Sequence, residues 1–405
     1  MKNCFFCRIN SFISQNSLLS DSQYGFRSGR STCDAIVELL HYAHKSLNNS
    51  EYFGFVSLDL SKALEDLFRR PIYNVLKSYL KDRTQFVSCD GLNSHTLNIE
   101  TGVPQGSVLG PVLFNLYVND LPNVVKNNGV RALMYADDTT VFSSNSDIYK
   151  LCLSLKNNLC FIEKWLRSNF LTLNLQKTSC MFITMKRIPN DAAITINNAS
   201  VTLVDNIDFL GVCIDAKLTF KNHILNVSNK LSKNTGIMYR LNYLPESILK
   251  TLYFSLIYPY IIYCIVIWGS ACISNLNSLI VLQKKAIRII SHCPMREHTD
   301  PLFKNLSILK FEQLYKMYTS IYMYKVFKCS IASFIKNEIE CHQVHRSTDL
   351  RNSRKFRLPK VNKNLKYKNS VLYSGTVLWN NVPDKSKDRK TVQSFKKDLF
   401  YSYIQ

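Results

Sequence analysis

Three carboxylates stand inside runs that otherwise have the character of buried β-strand. Asp59 falls near the end of Phe55-Val56-Ser57-Leu58-Asp59-Leu60, and the pair Asp137-Asp138 interrupts Leu133-Met134-Tyr135-Ala136-Asp137-Asp138-Thr139-Thr140-Val141. An ionised carboxylate in apolar surroundings is costly unless a cation or hydrogen-bond donors meet it. Two adjacent like charges at a turn also repel each other, and a divalent metal bridging them to a third carboxylate relieves that repulsion. A lone acidic residue in a strand is commonly structural. Two such segments, each ending a β-run and separated by a Gly/Pro-punctuated loop from Gly102 to Pro111, constrain the fold far more. They require a strand end to lie beside a hairpin turn. Such a cluster suits two-metal phosphoryl transfer, in which one metal activates an attacking hydroxyl and the other holds a triphosphate and its leaving oxygen.

The surrounding pattern is mixed. Cys33 to Asn48 repeats apolar residues at helical spacing, and Tyr52 to Leu60 reads as a buried strand. Met1 to Leu19 reads as a short amphipathic helix, Ile72 to Leu80 as helix, and Phe86 to Glu100 as a hairpin around Gly91 and Ser94. Val112 to Asp120 reads as helix, and Arg131 to Phe142 as strand, tight turn and strand. Ile148 to Leu166 places Ile148, Leu151, Cys152, Leu155, Leu159, Ile162, Trp165 and Leu166 on one stripe, the mark of a long amphipathic helix. Leu171 to Leu175, Cys180 to Thr184 and Ile207 to Ile214 read as single strands. After Thr219 the pattern is helical to about Phe327, then basic and less regular with a final short helix. The sequence thus predicts an α+β part followed by an α-helical part, with the boundary near Lys221.

Charge points to a polyanionic partner. The formal net charge is +22, and Arg346 to Gln405 alone carries 15 Lys/Arg against 4 Asp. An excess of that size repels itself unless a partner such as nucleic acid neutralises it. The thirteen cysteines are scattered without a disulfide framework, and Cys4 and Cys7 lack a second pair at zinc spacing. Free thiols in a reducing compartment are expected, with nucleus and cytoplasm not distinguished. The most apolar run, Leu252 to Trp268, is broken by Pro259 and holds four tyrosines, so a buried helical pair is expected and not a membrane span.

Several of these segments together resemble the reverse transcriptases of non-LTR (LINE-type, jockey-like) retrotransposons. Tyr135-Ala136-Asp137-Asp138 is similar to their YADD box, and Gly102-Val103-Pro104-Gln105-Gly106-Ser107-Val108-Leu109-Gly110-Pro111 to their GVPQGSVLGP signature. Gln23-Tyr24-Gly25-Phe26-Arg27-Ser28-Gly29-Arg30-Ser31-Thr32 resembles the QxGFRxGRST segment, and Leu58-Asp59-Leu60-Ser61-Lys62-Ala63 the LDLSKA strand. The resemblance implies a right-hand polymerase: a fingers/palm domain with an antiparallel sheet at 1–220, a helical thumb at 221–330 and a basic C-terminal region at 331–405. It implies RNA-directed DNA polymerase activity on an RNA template, a DNA primer and dNTPs, with Mg2+ (or Mn2+) and no membrane. Asp59, Asp137 and Asp138 are the implied metal-binding and catalytic carboxylates. Arg27, Gln105, Gly106 and Tyr135 are implied at the nucleotide or template. Trp165, Asn169, Leu171, Leu173, Asn174, Lys177 and Thr178 resemble a further motif, in which Lys177 is the implied general acid for departing pyrophosphate. Phe209-Leu210-Gly211-Val212 resembles the primer-grip segment.

The chain departs from the pattern in one place. After Ala63 it reads Leu64-Glu65-Asp66-Leu67, where the family has an aromatic residue and then a longer helix. The stretch Ser78-Tyr79-Leu80 then arrives early, so an internal deletion and a shortened N-terminus are expected. Leu64 takes the place of the aromatic residue that excludes a ribose 2′-hydroxyl. Two functions therefore follow: an active polymerase, or a catalytically dead relic that only binds nucleic acid.

Overall fold

Phe53, Phe55, Val56 and Leu58 are all buried, so strand β1 (Tyr52–Leu58) presents apolar side chains to both faces, as a central strand does. The computed structural model describes residues 2–61, 83–99, 107–125, 129–196, 199–328, 355–362 and 365–404. The expected Ile72–Leu80 helix and the first half of the Gly102–Pro111 loop, Gly102 to Gly106, lie outside them. The chain folds into two compact units, one of residues 1–31, 54–181 and 188–204, the other of 32–53, 182–187 and 205–405.

In the first unit β1 is followed by β2 (Leu60–Ser61) and a nested hairpin of β3 (Arg83–Gln85), β4 (Ser88–Cys89), β5 (Leu92–Asn93) and β6 (Leu97–Ile99). Asp90 and Gly91 take φ +51° and +81° at its tip, as two-residue hairpin turns require and as an Asp-Gly pair permits. Next come β7 (Arg131–Tyr135), β8 (Asp138–Asn145), β9 (Thr172–Leu173), β10 (Ser179–Ile183), β11 (Thr195–Ile196), β12 (Ala199–Ser200) and β13 (Thr202–Leu203). The main sheet has the order β13-β10-β1-β8-β7. The helix Ile148–Ser168 packs on β8 through the predicted stripe, and Asp147 caps it by accepting from Tyr149 N–H at 2.8 Å. Strands β11 to β13 were not expected, because each is too short to show alternation.

The second unit corrects one expectation. Ile207 to Ile214 is not a single strand but a hairpin of β14 (Asn206–Phe209) and β15 (Val212–Asp215), turned at Leu210 (φ +48°) and Gly211 (φ +78°). The apolar residues run through the turn and hide it, and Gly211 was the one available signal. Helices follow at Lys221–Arg240, Glu246–Leu256, Tyr258–Ile262, Ile265–Trp268, Ile273–Ile290, Thr299–Asn305 and Phe311–Phe327. The Leu252–Trp268 run spans three of these. Pro259 sits in the first turn of one, where its missing N–H costs nothing, and Ile261, Ile265 and Trp268 are buried. No helix among the described residues is long and apolar enough to cross a membrane. The ten cysteines whose side chains are described are free thiols.

The basic C-terminal stretch is more ordered than expected. Helices Val371–Asn380 and Val392–Ile404 pack on Phe311–Phe327. Fully buried Trp379 lies among Phe327, Phe356 and Phe395, with ring centroids 5.2, 5.9 and 6.1 Å away. Tyr324 stacks on Phe395 at 4.4 Å. Asn48 ties the Thr32–Asn48 helix to this region, donating to Lys360 O at 3.1 Å and accepting from Asn362 N–H at 2.9 Å.

Candidate active site

At Asp59 the chain changes partners. Before it, β1 belongs to the main sheet; after it, β2 pairs antiparallel with β9, Leu60 opposite Leu173 and Ser61 opposite Thr172. Asp59 itself lies between the two strands, and its backbone carbonyl accepts from Asn174 N–H at 3.1 Å. This step out of the sheet leaves the carboxylate half-exposed although the residues before it are buried.

The second acidic segment turns from β7 into β8. These strands pair antiparallel with Tyr135 opposite Asp138, leaving Ala136 and Asp137 as the turn. Ala136 takes φ +57°, a left-handed conformation that costs a residue with a Cβ about 1–2 kcal/mol. Asp137 and Asp138 project from the turn into solvent, while Thr139 and Thr140 directly after them are buried. Burial of its carboxyl and then the charges of Asp137 and Asp59 push the Asp138 pKa above the ordinary aspartate value. The field of Asp59 at Asp138 puts the three carboxylates in one electrostatic neighbourhood.

Lys177 Nζ lies 3.4 Å from Asp59 Oδ2. Asn174 builds the turn that presents it: its side-chain oxygen accepts from Lys177 N–H at 3.3 Å and its carbonyl from Thr178 N–H at 3.0 Å. One asparagine thus bonds to the backbone of Asp59 and shapes the turn carrying Lys177. Tyr135 is half-buried at the end of β7. Arg27 is half-buried in its own loop, donating to Ser20 O at 2.5 Å and to Gln23 O at 3.2 Å. Burial and then the charge of Arg30 lower its pKa. Leu64, Gln105 and Gly106 lie outside the described residues.

Sequence reasoning gave no separate role to the residues that hold the acidic turn from behind. Gln23 bridges to Met134, with Tyr24 N–H donating to Met134 O and Met134 N–H to Ser22 O, both at 2.8 Å. Gln23 Oε1 accepts from Gly25 N–H at 2.8 Å and from Ala136 N–H at 3.0 Å. A Cβ on Gly25 would stand 2.4 Å from Ala136 N, so glycine is required there. Buried Asn115 donates to Gly25 O at 2.8 Å. Gly25 was the available signal; Asn115, one polar residue in an apolar helical run, gave none.

Among the described residues no group of three or more His, Cys, Asp or Glu side chains forms a ready-made metal site. The donor chemistry nonetheless fits a hard divalent cation. The candidate donors are all carboxylate oxygens, and burial first, then the like charges of Asp137 and Asp59, raise the Asp138 pKa, a repulsion that a cation would relieve.

Residues 3–214 match the family described as reverse transcriptase (RNA-dependent DNA polymerase). The "Probable RNA-directed DNA polymerase from transposon BS" of Drosophila melanogaster is 28% identical over 337 residues, 78% of this chain and 37% of that protein. The RNA-directed DNA polymerase from mobile element jockey, also of Drosophila melanogaster, is 29% identical over 310 residues, 71% of this chain and 34% of that one. The chain therefore spans about a third of the length of these relatives. Among solved structures, a telomerase from Candida albicans aligns at 14% identity with a TM-score of 0.36, over 83% of this chain and 54% of that one, too weak a likeness to bear on the fold. The family match covers residues 3–214, a span that includes Asp59 and the turn of Asp137 and Asp138, and the chain belongs to the reverse transcriptase (RNA-dependent DNA polymerase) family.

Proposed function

We propose that this chain is the RNA-directed DNA polymerase of a non-LTR retrotransposon, adding deoxynucleotides from dNTPs to the 3′-hydroxyl of a DNA primer on an RNA template. The observation that carries the proposal is geometric: Lys177 Nζ stands 3.4 Å from Asp59 where the chain leaves the main sheet, and the β7–β8 turn presents Asp137 and Asp138 at its tip. Asp59, Asp137 and Asp138 would hold Mg2+ (or Mn2+). Bound there, the metal supplies activation of the primer hydroxyl and neutralisation of charge at the transferring phosphate. The chain's own groups do the rest. The half-exposed Asp59 and the turn of Asp137 and Asp138 present oxygen donors toward solvent, where a triphosphate can reach them. Lys177 offsets the charge of Asp59 and would give a proton to departing pyrophosphate. Tyr135 lies at the strand end beside the reacting atoms. Gln105 and Gly106 serve the template and nucleotide by family resemblance, and Leu64 takes the sugar-discriminating position. Arg27 meets the triphosphate after exchanging its loop carbonyls for phosphate oxygens. The hairpin at Phe209 to Val212 would steady the primer, and the helices from Lys221 onward would hold the duplex as a thumb.

The test is primer extension on a poly-ribonucleotide template with Mg2+ or Mn2+, beside the Asp138→Asn variant. Extension that requires the metal and is lost in Asp138→Asn supports the proposal. A folded chain that binds primer–template and extends nothing returns the binding-only relic.

A further inference from the structure

The acidic turn is held from behind by a glutamine that no family role covers. Gln23 is 1% exposed, so its amide is out of water, and its oxygen receives two backbone N–H groups, those of Gly25 and Ala136. Two donors converging on one atom require that atom to be oxygen, which fixes the amide's orientation. Its Nε2 has no partner among the described residues. A fold seldom leaves a buried donor unpaired, and here the amide serves the turn through its oxygen alone. The bond to Ala136 falls on the one residue of the hairpin turn forced into the left-handed region, next to Asp137. Gly25 lets this segment lie against the turn's backbone, and Asn115 anchors Gly25 to the Gly110–Tyr117 helix.

We propose that Gln23 is a positioning residue for the metal-binding turn: its amide oxygen holds Ala136 left-handed, and so aims Asp137 and Asp138 at a shared cation. The proposal rests on the polymerase reading of the site. It is tested without turnover, on the full chain with Mn2+ as the only added ligand. Mn2+ binding is followed by electron paramagnetic resonance, and exchange of the Ala136 amide by hydrogen–deuterium exchange. In Gln23→Met, similar in shape but lacking the acceptor, the Ala136 amide should exchange at least about tenfold faster, and Mn2+ affinity should fall by about the same factor. Ala136→Gly, which adopts positive φ without strain, should recover most of that affinity in the double variant. A merely structural glutamine would lower the melting temperature and gain nothing from glycine at 136. Unchanged Ala136 exchange in Gln23→Met overturns the proposed bond. Faster exchange with Mn2+ affinity kept within about twofold overturns its role at the metal. Wild-type chain that binds no Mn2+ in an Asp138-dependent way overturns the metal reading, and the proposal with it. That outcome is told apart because the Ala136 exchange response to Gln23→Met persists.

Discussion

Asp138 holds its proton more tightly than an ordinary aspartate, because burial and two neighbouring carboxylates disfavour its charge. A raised folded-state pKa means that the native chain binds more protons than the unfolded one between the ordinary aspartate value and the raised one. Stability contributed by this group is therefore lost as pH rises through that window. Asp138→Asn should accordingly melt slightly higher than wild type at pH 7 without metal, and the gain should vanish below about pH 4, where Asp138 is protonated in both states. The gain should be small because the carboxyl is in contact with water. Differential scanning calorimetry across that range checks the sign. Lys177 separates in the opposite way. Its side chain is 70% exposed, so its pairing with Asp59 contributes only about 0–1 kcal/mol. Lys177→Ala should leave the melting temperature unchanged and lower single-turnover extension roughly 100-fold, the lower range for a lost general acid. Lys177→Arg should keep nucleotide affinity but not rate, since a guanidinium does not give up its proton near neutral pH. At this scale the carboxylates stood out because charge in an apolar run is conspicuous, whereas Lys177, in a polar turn, entered only through the family motif. Gln23 and Asn174 stood inside quoted motifs without a role of their own, because the bonds that give them one, Gln23 to Ala136 and Asn174 to Asp59, join segments far apart in sequence.

At the scale of elements, local chemistry decided what was legible. The Ile148–Ser168 helix announces itself by its stripe, and the structure adds Asp147 as its cap, the side chain accepting from the N–H groups of Tyr149 and Lys150. Asp147→Ala should cost about 1 kcal/mol, read as a shift in the urea midpoint with unchanged slope. The β7–β8 hairpin was legible because polar residues interrupt two apolar strands. The β14–β15 hairpin was misread as one strand, because Phe209, Leu210 and Val212 carry apolar character through its turn. The paired segment β2–β9 is only two residues long on each side, too short to show period, yet it places Asp59 at a change of partner. Replacing Gly211 with alanine tests the turn of the β14–β15 hairpin. A Cβ there meets the Tyr263 ring at 3.4 Å and must also accept φ +78°, so a loss of about 1 kcal/mol or more is expected in the same assay.

For the whole molecule the question is what the charge of +22 is for. Deleting Arg346 to Gln405 looks like the direct test of a nucleic-acid-binding tail, but the structure rules it out as a clean one. That stretch contributes Trp379 and Phe395, both fully buried, to an aromatic cluster shared with Tyr324 and Phe327. Trp379→Ala alone should cost about 3–5 kcal/mol, a large part of the ~5–15 kcal/mol that holds a typical protein folded. Truncation would then weaken binding by unfolding the second unit, whatever the tail touches. The apolar and basic roles fall to different residues. Lys355, Arg357, Lys360 and Lys368 are exposed, whereas Lys387 lies buried with Nζ 5.3 Å from the Trp379 ring and 3.2 Å from Asp384. Replacing the four exposed residues with glutamine should leave the melting temperature near wild type, since surface substitutions away from packed features are usually within about 0.5 kcal/mol. If the four meet phosphate, log K for a primer–template duplex should fall less steeply with log salt, by about 0.9 per lost contact and so by roughly three to four in all. A slope unchanged in the quadruple variant would remove this surface from the nucleic-acid interface and leave the excess charge to Lys and Arg on the other helices. A flattened slope with intact melting would assign the tail two functions carried by different residues, one that completes the helical core and one that meets the phosphate backbone.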